Sequence, residues 1–322
     1  MKLLLAALIG LAGFAALTLW KARQHEARAE AAYPPEGRLI DVDGQRVHAV
    51  VMGRDRGTAP DIVLIHGVSG NTRDMTFDLA PALARDYRVI VLDRPGLGYS
   101  ETLGTGGAPL TAQAGLLQAA AAQLGAERPV VLGHSYGGAV ALAWAVTRPD
   151  TLAALVDVAG AAKPWPGGMP TIYEVLSHPV LGPLAAPLIT AWVPESYVEG
   201  AVSEIFAPQS PPEGYLAHVG AGLTLRRATL RENALQRANI LPEITALHER
   251  FDAIDVPLEI VHGTADTTVG LSIHSEPLAE QVAGAHLTVL DGIGHMPHHA
   301  APAAVIAAVH RAATRAGLRQ GD

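Results

Sequence analysis

Uninterrupted apolar runs alternate with helical segments along most of this chain. Runs such as DIVLIHG (61–67), YRVIVLD (87–93) and PVVLG (129–133) lack the polar alternation of a half-exposed strand. Continuous apolar strands of this kind are typical of parallel sheets that helices cover on both faces. The pattern therefore predicts the fold class α/β, with a mostly parallel, doubly wound sheet, preceded by one hairpin that turns at Asp43-Gly44.

The alternation stops near Lys163 and resumes near Arg250. The intervening residues contain two proline-rich stretches, KPWPGGMP and APQSPPEG, and short helical patches rich in aromatic residues. The segment is longer than ordinary loops. We therefore predict a core of residues 38–162 and 251–322 that carries a helical insertion, residues 163–250. An insertion at the carboxyl ends of parallel strands lies over the usual ligand crevice, which makes it a candidate lid.

The chain begins with an uncharged, almost wholly apolar run, Leu3 to Trp20, flanked by basic residues. The run is just long enough to cross a membrane, and Trp20 occupies the position of an interfacial aromatic residue. We predict a transmembrane anchor over residues 1–21, followed by a polar, alanine-rich tether over residues 22–37. The protein would then be a single-pass membrane protein, although the flanking charges leave its orientation open.

The alternative for this segment is a signal sequence that is removed. Small residues at Ala27-Arg28-Ala29 or Ala29-Glu30-Ala31 provide cleavage sites. Both lie far beyond the apolar run, which favours the anchor. Cleavage would instead yield a secreted or periplasmic protein.

Charge and composition argue against a nucleic-acid partner and against features that depend on cysteine. The net charge is −8 and no long basic run is present, so we expect no nucleic-acid partner. The chain contains no cysteine, which excludes disulfides and thiolate metal sites.

The segment GHSYG places Ser135 between an apolar run and an alanine-rich helical segment. It fits G-x-S-x-G in the strand-before, helix-after context that this nucleophile motif requires. The residues two positions away from the serine must be small, because side chains there would collide with the adjoining strand and helix. Gly133 and Gly137 meet that requirement. The alternative is a structural serine in a tight turn, and the motif alone does not decide between them.

A nucleophilic serine needs a base, and the base needs an orienting carboxylate, in the chain order serine, acid, histidine. Asp266 follows a late buried run, and His295 lies in a glycine-bearing loop after the last one. We predict Ser135, Asp266 and His295 as the catalytic residues. Asp157, on the strand before the insertion, is the alternative acid.

Stabilisation of an oxyanion needs two donors. One is the backbone N–H after the nucleophile, that of Tyr136, and the other comes from the loop after an early central strand. In the loop HGVSG we predict the N–H of Val68 for this second donor. Ser69 in the same loop is interpreted as an ordinary loop hydroxyl.

Taken together, HGVSG, DRPGLGYS, GHSYGG, HGTAD and GIGHMPH resemble the α/β-hydrolase fold superfamily, in particular its lid-bearing serine esterase, lipase and cofactor-free haloperoxidase-like branch. The resemblance covers the chain from about Gly37 onward and is weakest in the insertion. It implies no cofactor. Dehalogenases and most epoxide hydrolases of this superfamily carry an aspartate at the nucleophile position, so Ser135 argues against both. Asp93 and Ser100 correspond to a structural turn.

The resulting prediction is a serine hydrolase that cleaves a small-molecule, hydrophobic carboxylic ester through an acyl-enzyme. A perhydrolase that uses the same three residues is one alternative. A catalytically silent, membrane-tethered binding protein on a hydrolase fold is another, although such proteins usually lack one of the three residues.

Two further histidines, His298 and His299, follow His295 closely and raise the possibility of a metal site. No acidic partner for them is evident nearby, so we predict helix-entry or pocket-lining roles and no metal.

Overall fold

The chain forms one eight-stranded sheet in a computed structural model that describes residues 1–104 and 106–320. The strands are β1 (Arg38–Val42), β2 (Gln45–Gly53), β3 (Asp61–Ile65), β4 (Arg88–Leu92), β5 (Val130–His134), β6 (Ala154–Val158), β7 (Leu258–Gly263) and β8 (His286–Leu290). Their order across the sheet is β1-β2-β4-β3-β5-β6-β7-β8. Pairs from β4 to β8 are parallel, whereas β2 is antiparallel to both its neighbours. The predicted fold class is confirmed.

The described residues form fourteen α-helices, some of which cover the two faces of this sheet. They are α1 (Lys2–Ala32), α2 (Thr72–Thr76), α3 (Leu79–Leu83), α4 (Leu110–Gln123), α5 (Tyr136–Thr147), α6 (Thr171–Ser177), α7 (Leu181–Trp192), α8 (Glu195–Phe206), α9 (Tyr215–Val219), α10 (Ala221–Thr224), α11 (Arg227–Leu247), α12 (Ser275–Gln281), α13 (Pro297–Ala300) and α14 (Pro302–Arg315). Along β3, Val63 and Ile65 face the core beneath α4 and α5, and Ile62 and Leu64 face the core beneath α3 and α14. Alternate side chains point to opposite faces of a strand, so a strand buried on both faces must be apolar throughout.

Six helices, α6 to α11, lie between β6 and β7, and residues 159–257 contain no strand. The insertion predicted for residues 163–250 lies within this region. The longest of them, α11, packs against α6 and α7 and reaches the core with Ile240 and Ile244.

The N-terminal apolar run forms the first part of α1. Within the described residues, α1 is the one helix that is by itself long and apolar enough to cross a membrane; α6 and α7, bent by 118° at their junction, pass the same criterion together. The helix continues to Ala32 and so includes most of the segment predicted as a tether. Alanine, arginine, glutamate and glutamine favour helix, and this propensity prevails because α1 also packs against the insertion.

The contacts between α1 and the insertion combine aromatic, hydrogen-bonding and ionic groups. The ring of Phe14 stacks on that of Trp192 with centroids 5.9 Å apart, and the Trp192 indole N–H donates to Thr18 Oγ1 over 3.1 Å. Further along, Arg227 forms an ion pair with Glu26 at 2.7 Å. Helix α1 is thereby attached to α7 and α11 along about half its length.

Candidate active site

Ser135 occupies the turn between β5 and α5. Its backbone has φ 54° and ψ −116°, a conformation that non-glycine residues rarely adopt. A Cβ atom at Gly133 would overlap with the backbone of Gly137, and one at Gly137 would overlap with the carbonyl of Ile65. The glycines of G-x-S-x-G are therefore required sterically, as the sequence argument proposed. The turn directs the Ser135 side chain away from the sheet, at the N-terminus of α5.

The structure brings the three predicted catalytic residues together. His295 Nε2 lies 2.9 Å from Ser135 Oγ, and His295 Nδ1 lies 2.7 Å from Asp266 Oδ2. All three residues are buried: Ser135 is 4% exposed, His295 3% and Asp266 8%. Asp266 and His295 stand in the loops after β7 and β8, at the carboxyl edge of the sheet. The distances suit a hydroxyl, a base and an orienting carboxylate.

Asp266 is held in its ionised form. Burial raises its pKa, but hydrogen bonds with His262 and His295 and from the backbone N–H of Val269 outweigh that effect and lower the pKa below its usual value. Its Oδ1 accepts from the N–H groups of Thr268 and Val269, which leaves Oδ2 directed at His295. His262, which sequence reasoning missed, lies 3.2 Å from Oδ2.

The alternative acid, Asp157, is fully buried within β6, and neither carboxylate oxygen makes a side-chain hydrogen bond within the described residues. Burial raises its pKa to about 7, despite the opposing influence of His262 and the Gly160 backbone. The carboxylate that lies against His295 is that of Asp266.

Replacing Asp157 with asparagine is expected to flatten the pH dependence of stability. Its pKa is about 7 in the folded chain and about 3.9 when unfolded, so the folded state retains a proton that the unfolded state releases. This stabilising contribution is complete below about pH 4 and is lost as the pH rises through about 7. Urea unfolding at about pH 5 and pH 8 should show a smaller loss of stability in Asp157→Asn than in the parent. Equal losses of stability in both proteins would contradict the raised pKa of Asp157.

The loop after β3, which holds the predicted donor Val68, approaches the nucleophile closely. A Cβ atom at Gly67 would lie 3.2 Å from Ser135 Cβ, tighter than ordinary contact. Within residues 1–104 and 106–320, the N–H of Val68 donates to no protein acceptor. The N–H of Tyr136, in the first turn of α5, has no intrahelical acceptor either. Both predicted donors are therefore available to a substrate oxygen.

Two residues that sequence reasoning missed hold this loop. Arg94, fully buried, donates to the carbonyls of His66 and Gly67, while its guanidinium lies 4.1 Å from the Tyr136 ring. Asn233 of α11 accepts from the N–H of Ser69 and donates to its Oγ, at 2.9 and 2.8 Å. Arg94 belongs to the segment DRPGLGYS, interpreted above only as a structural turn. Asn233 carried no signal, since it lies in the segment without recognisable motifs.

Removing the Asn233 amide is expected to lower kcat by about ten-fold to a hundred-fold, because the loop that carries Val68 loses the two hydrogen bonds between Asn233 and Ser69. The measurement is steady-state hydrolysis of a p-nitrophenyl ester by Asn233→Ala. Asn239→Ala on the same helix is the matched control, since within the described residues the Asn239 side chain bonds only the exposed Gly106 carbonyl. An equal effect of both substitutions would indicate general disturbance of α11.

The two histidines after His295 lie beside the site. The ring of His298 is 4.2 Å from that of His134, which in turn is 5.0 Å from His295, and His134 Nε2 lies 2.8 Å from the His295 carbonyl. The sequence argument that no acidic residue accompanies His298 and His299 is wrong. Asp74 lies against both, more than 220 positions away along the chain. Such a separation leaves no periodic signal in the sequence.

This chain is similar to several known proteins. The chain is 31% identical over 268 residues to polyketide synthase ThaQ of Burkholderia thailandensis, 80% of this chain but only 12% of the synthase. It is 29% identical to the pimeloyl-[acyl-carrier protein] methyl ester esterase of Neisseria meningitidis, over 83% of this chain and 98% of the esterase. The crystal structure of a bacterial membrane phospholipase A superposes with a TM-score of 0.67 and 22% identity, covering 100% of both chains.

The comparison that identifies the family is a sequence profile for the alpha/beta hydrolase family, which matches residues 62–308. The match begins in β3 and ends in α14, so it spans six of the eight strands, β3 to β8, and all three predicted catalytic residues. It therefore covers well over half of the chain. The chain belongs to the alpha/beta hydrolase family.

Proposed function

We propose that this protein is a serine hydrolase that cleaves a hydrophobic carboxylic ester through an acyl-enzyme. The observation that carries the proposal is the continuous hydrogen-bonded series from Ser135 through His295 to Asp266, on a strained strand-to-helix turn. The same series argues against a catalytically silent binding protein.

The mechanism follows from the roles of these atoms. Ser135 Oγ attacks the ester carbonyl carbon while His295 Nε2 takes the hydroxyl proton. Asp266 fixes the tautomer of His295 and stabilises the imidazolium that forms. The tetrahedral intermediate collapses as His295 returns the proton to the departing alcohol. Water, deprotonated by His295, then attacks the acyl-enzyme, and the acid leaves as Ser135 regains its proton.

The backbone N–H groups of Val68 and Tyr136 would hold the developing oxyanion. Each such donor is worth about 3 kcal/mol of barrier in comparable sites. The close approach of Gly67 to Ser135, and the Arg94 side chain that contacts both segments, support this placement.

The insertion, residues 163–250, would act as the lid. It contacts the loop after β3, where Asn233 bonds Ser69. It also contacts the loop of His295, where Gln209 Oε1 accepts from the N–H of Gly294. With Ser135 and His295 almost fully buried beneath these contacts, a substrate would enter as the insertion moves. Exposed apolar side chains on α7, among them Leu184 and Leu188, favour a hydrophobic ester.

The names of two relatives point in the same direction. One is a methyl ester esterase, and the other is a membrane phospholipase A that aligns over its whole length, including α1. Ester cleavage close to a membrane is therefore part of the proposal, with α1 as a retained anchor.

The proposal is tested by covalent labelling with a fluorophosphonate probe, which reacts with activated serines. The full-length protein is expected to be labelled and Ser135→Ala is not. Ser203→Ala is the matched control, because Ser203 lies on the exposed side of α8 and, in the part of the chain that the structure describes, its hydroxyl bonds only the Glu199 carbonyl. A folded parent protein that takes up no probe would support the binding-protein alternative instead.

The anchor is tested separately. Cleavage after Ala29 or Ala31 would remove the Phe14–Trp192 stack and the Glu26–Arg227 ion pair. We therefore expect the mature protein to have the intact mass of a chain that retains Glu26, and to stay with the membrane fraction after carbonate extraction. A mature chain that begins after Ala29 or Ala31 would show that α1 is a signal sequence.

A further inference from the structure

A buried group of one carboxylate and two imidazoles lies behind the catalytic histidine loop. The one-turn helix α13 brings His298 and His299 against Asp74 of α2. His298 Nε2 is 3.3 Å from Asp74 Oδ2, and His299 Nε2 is 2.9 Å from Asp74 Oδ1. The Tyr215 hydroxyl of α9 donates to Asp74 Oδ1 over 2.8 Å. The side chains of both histidines are fully buried.

These distances are close to those between the ligands of a metal ion. The ligand atoms of Asp74, His298 and His299 all lie within 4.8 Å of one another. Tetrahedral Zn²⁺ with bonds of about 2.0–2.1 Å keeps its ligand atoms roughly 3.3 Å apart. An ion at the centre of the group would therefore require only small movements. Two imidazoles and a carboxylate suit zinc and its neighbours in the first transition series.

The charge of Asp74 points the same way. Its partners are a hydroxyl and two imidazoles, and the adjacent cation, Arg73, is directed instead at Glu36 and at the Pro34 carbonyl. A carboxylate at 4% exposure is expected to be balanced by positive charge. A divalent ion at this position would supply that charge.

Within the described residues, the two imidazole rings have no hydrogen-bond partner other than Asp74. His298 Nδ1 and His299 Nδ1 are buried and make no hydrogen bond within the described residues. With protons on both Nε2 atoms, each Nδ1 holds a buried lone pair among aromatic rings, including Tyr215 at 4.8 Å from His299. With a metal on Nε2, each Nδ1 would carry a proton instead, and the metal would replace the two hydrogen bonds to Asp74.

We propose that Asp74, His298 and His299 bind one divalent transition-metal ion of the zinc type, with a structural role. The site would tie the loop that carries His295 to α2 and, through Tyr215, to the insertion. None of the three ligands belongs to the predicted catalytic residues, so the proposal is independent of the proposed function.

The test is the metal content of the full-length protein. The protein is purified in detergent without a histidine tag and analysed by inductively coupled plasma mass spectrometry. We expect about one equivalent per chain. Asp74→Asn and His299→Gln should each lower it at least ten-fold. The matched control His286→Gln, an exposed histidine on β8, and the catalytic variant Ser135→Ala should both retain it.

A second measurement uses the parent protein alone, in case the variants do not fold. Chelator-treated protein is titrated with Co²⁺, and a visible absorption band with a rise in Tm of several degrees is expected. Binding below about a tenth of an equivalent, without an absorption band or a Tm shift on adding Co²⁺ or Zn²⁺, would overturn the proposal. Full retention of the metal by both ligand variants would also overturn it, since the ion would then lie elsewhere.

Discussion

Ser135→Ala is expected to lower kcat for a p-nitrophenyl ester by about a million-fold. The loss is large because the hydroxyl, the base and the carboxylate act as a unit, so removing one makes the others ineffective. Residual turnover above that in water should remain, because the proposed donors Val68 and Tyr136 would still stabilise an oxyanion formed by direct attack of water. KM should change little, since the substitution by alanine hardly alters the shape of the substrate pocket.

The matched control for this measurement is again Ser203→Ala, which should keep parental kcat. Circular dichroism should show an unchanged fold for both variants. Parental turnover by a folded Ser135→Ala protein would eliminate Ser135 as the nucleophile, whatever the geometry of its neighbours.

Asp266→Asn is expected to lower kcat by about ten thousand-fold. In the parent, Oδ1 accepts from the N–H groups of Thr268 and Val269, while Oδ2 faces His295 Nδ1. An asparagine can keep its oxygen on those two N–H groups, which leaves its NH₂ group directed at His295. The imidazole would then accept at Nδ1 and carry its proton on Nε2, toward Ser135. In that tautomer it cannot remove the serine proton.

Asp157→Asn is the comparison that separates the two candidate acids. It should retain nearly parental kcat at neutral pH, because Asp157 forms no hydrogen bond with His295 in the described structure. A greater loss of kcat in Asp157→Asn than in Asp266→Asn would reverse the assignment.

The parts of this molecule that were predictable from sequence are those governed by local rules. Apolar strands such as β3 and β5 are continuous because both sheet faces are covered, and the glycines around Ser135 are required by a turn of a few residues. The positions of Asp266 and His295 follow from one further rule, that the carboxyl ends of parallel strands share an edge.

The parts that were not predictable depend on contacts between distant segments. Asn233 reaches Ser69 across 164 positions, and Asp74 reaches His299 across 225. Neither pair produces a periodic pattern, and each residue alone has an ordinary explanation. Arg94 was in view within a recognised segment, but its contacts with Gly67 and Tyr136 appear only once the chain is folded.

The continuation of α1 to Ala32 has a mechanical consequence. A flexible tether would let the catalytic domain turn freely above a bilayer, whereas a continuous helix that packs against α7 and α11 would restrict that motion. Trp192 stacks on Phe14, six residues or about 9 Å before Trp20 along the helix axis. With α1 spanning a bilayer, the tip of α7 would lie below the level of Trp20, within the lipid surface. The catalytic domain would then be held at a fixed depth and orientation relative to the bilayer, and esters in the lipid surface would approach the site from one direction.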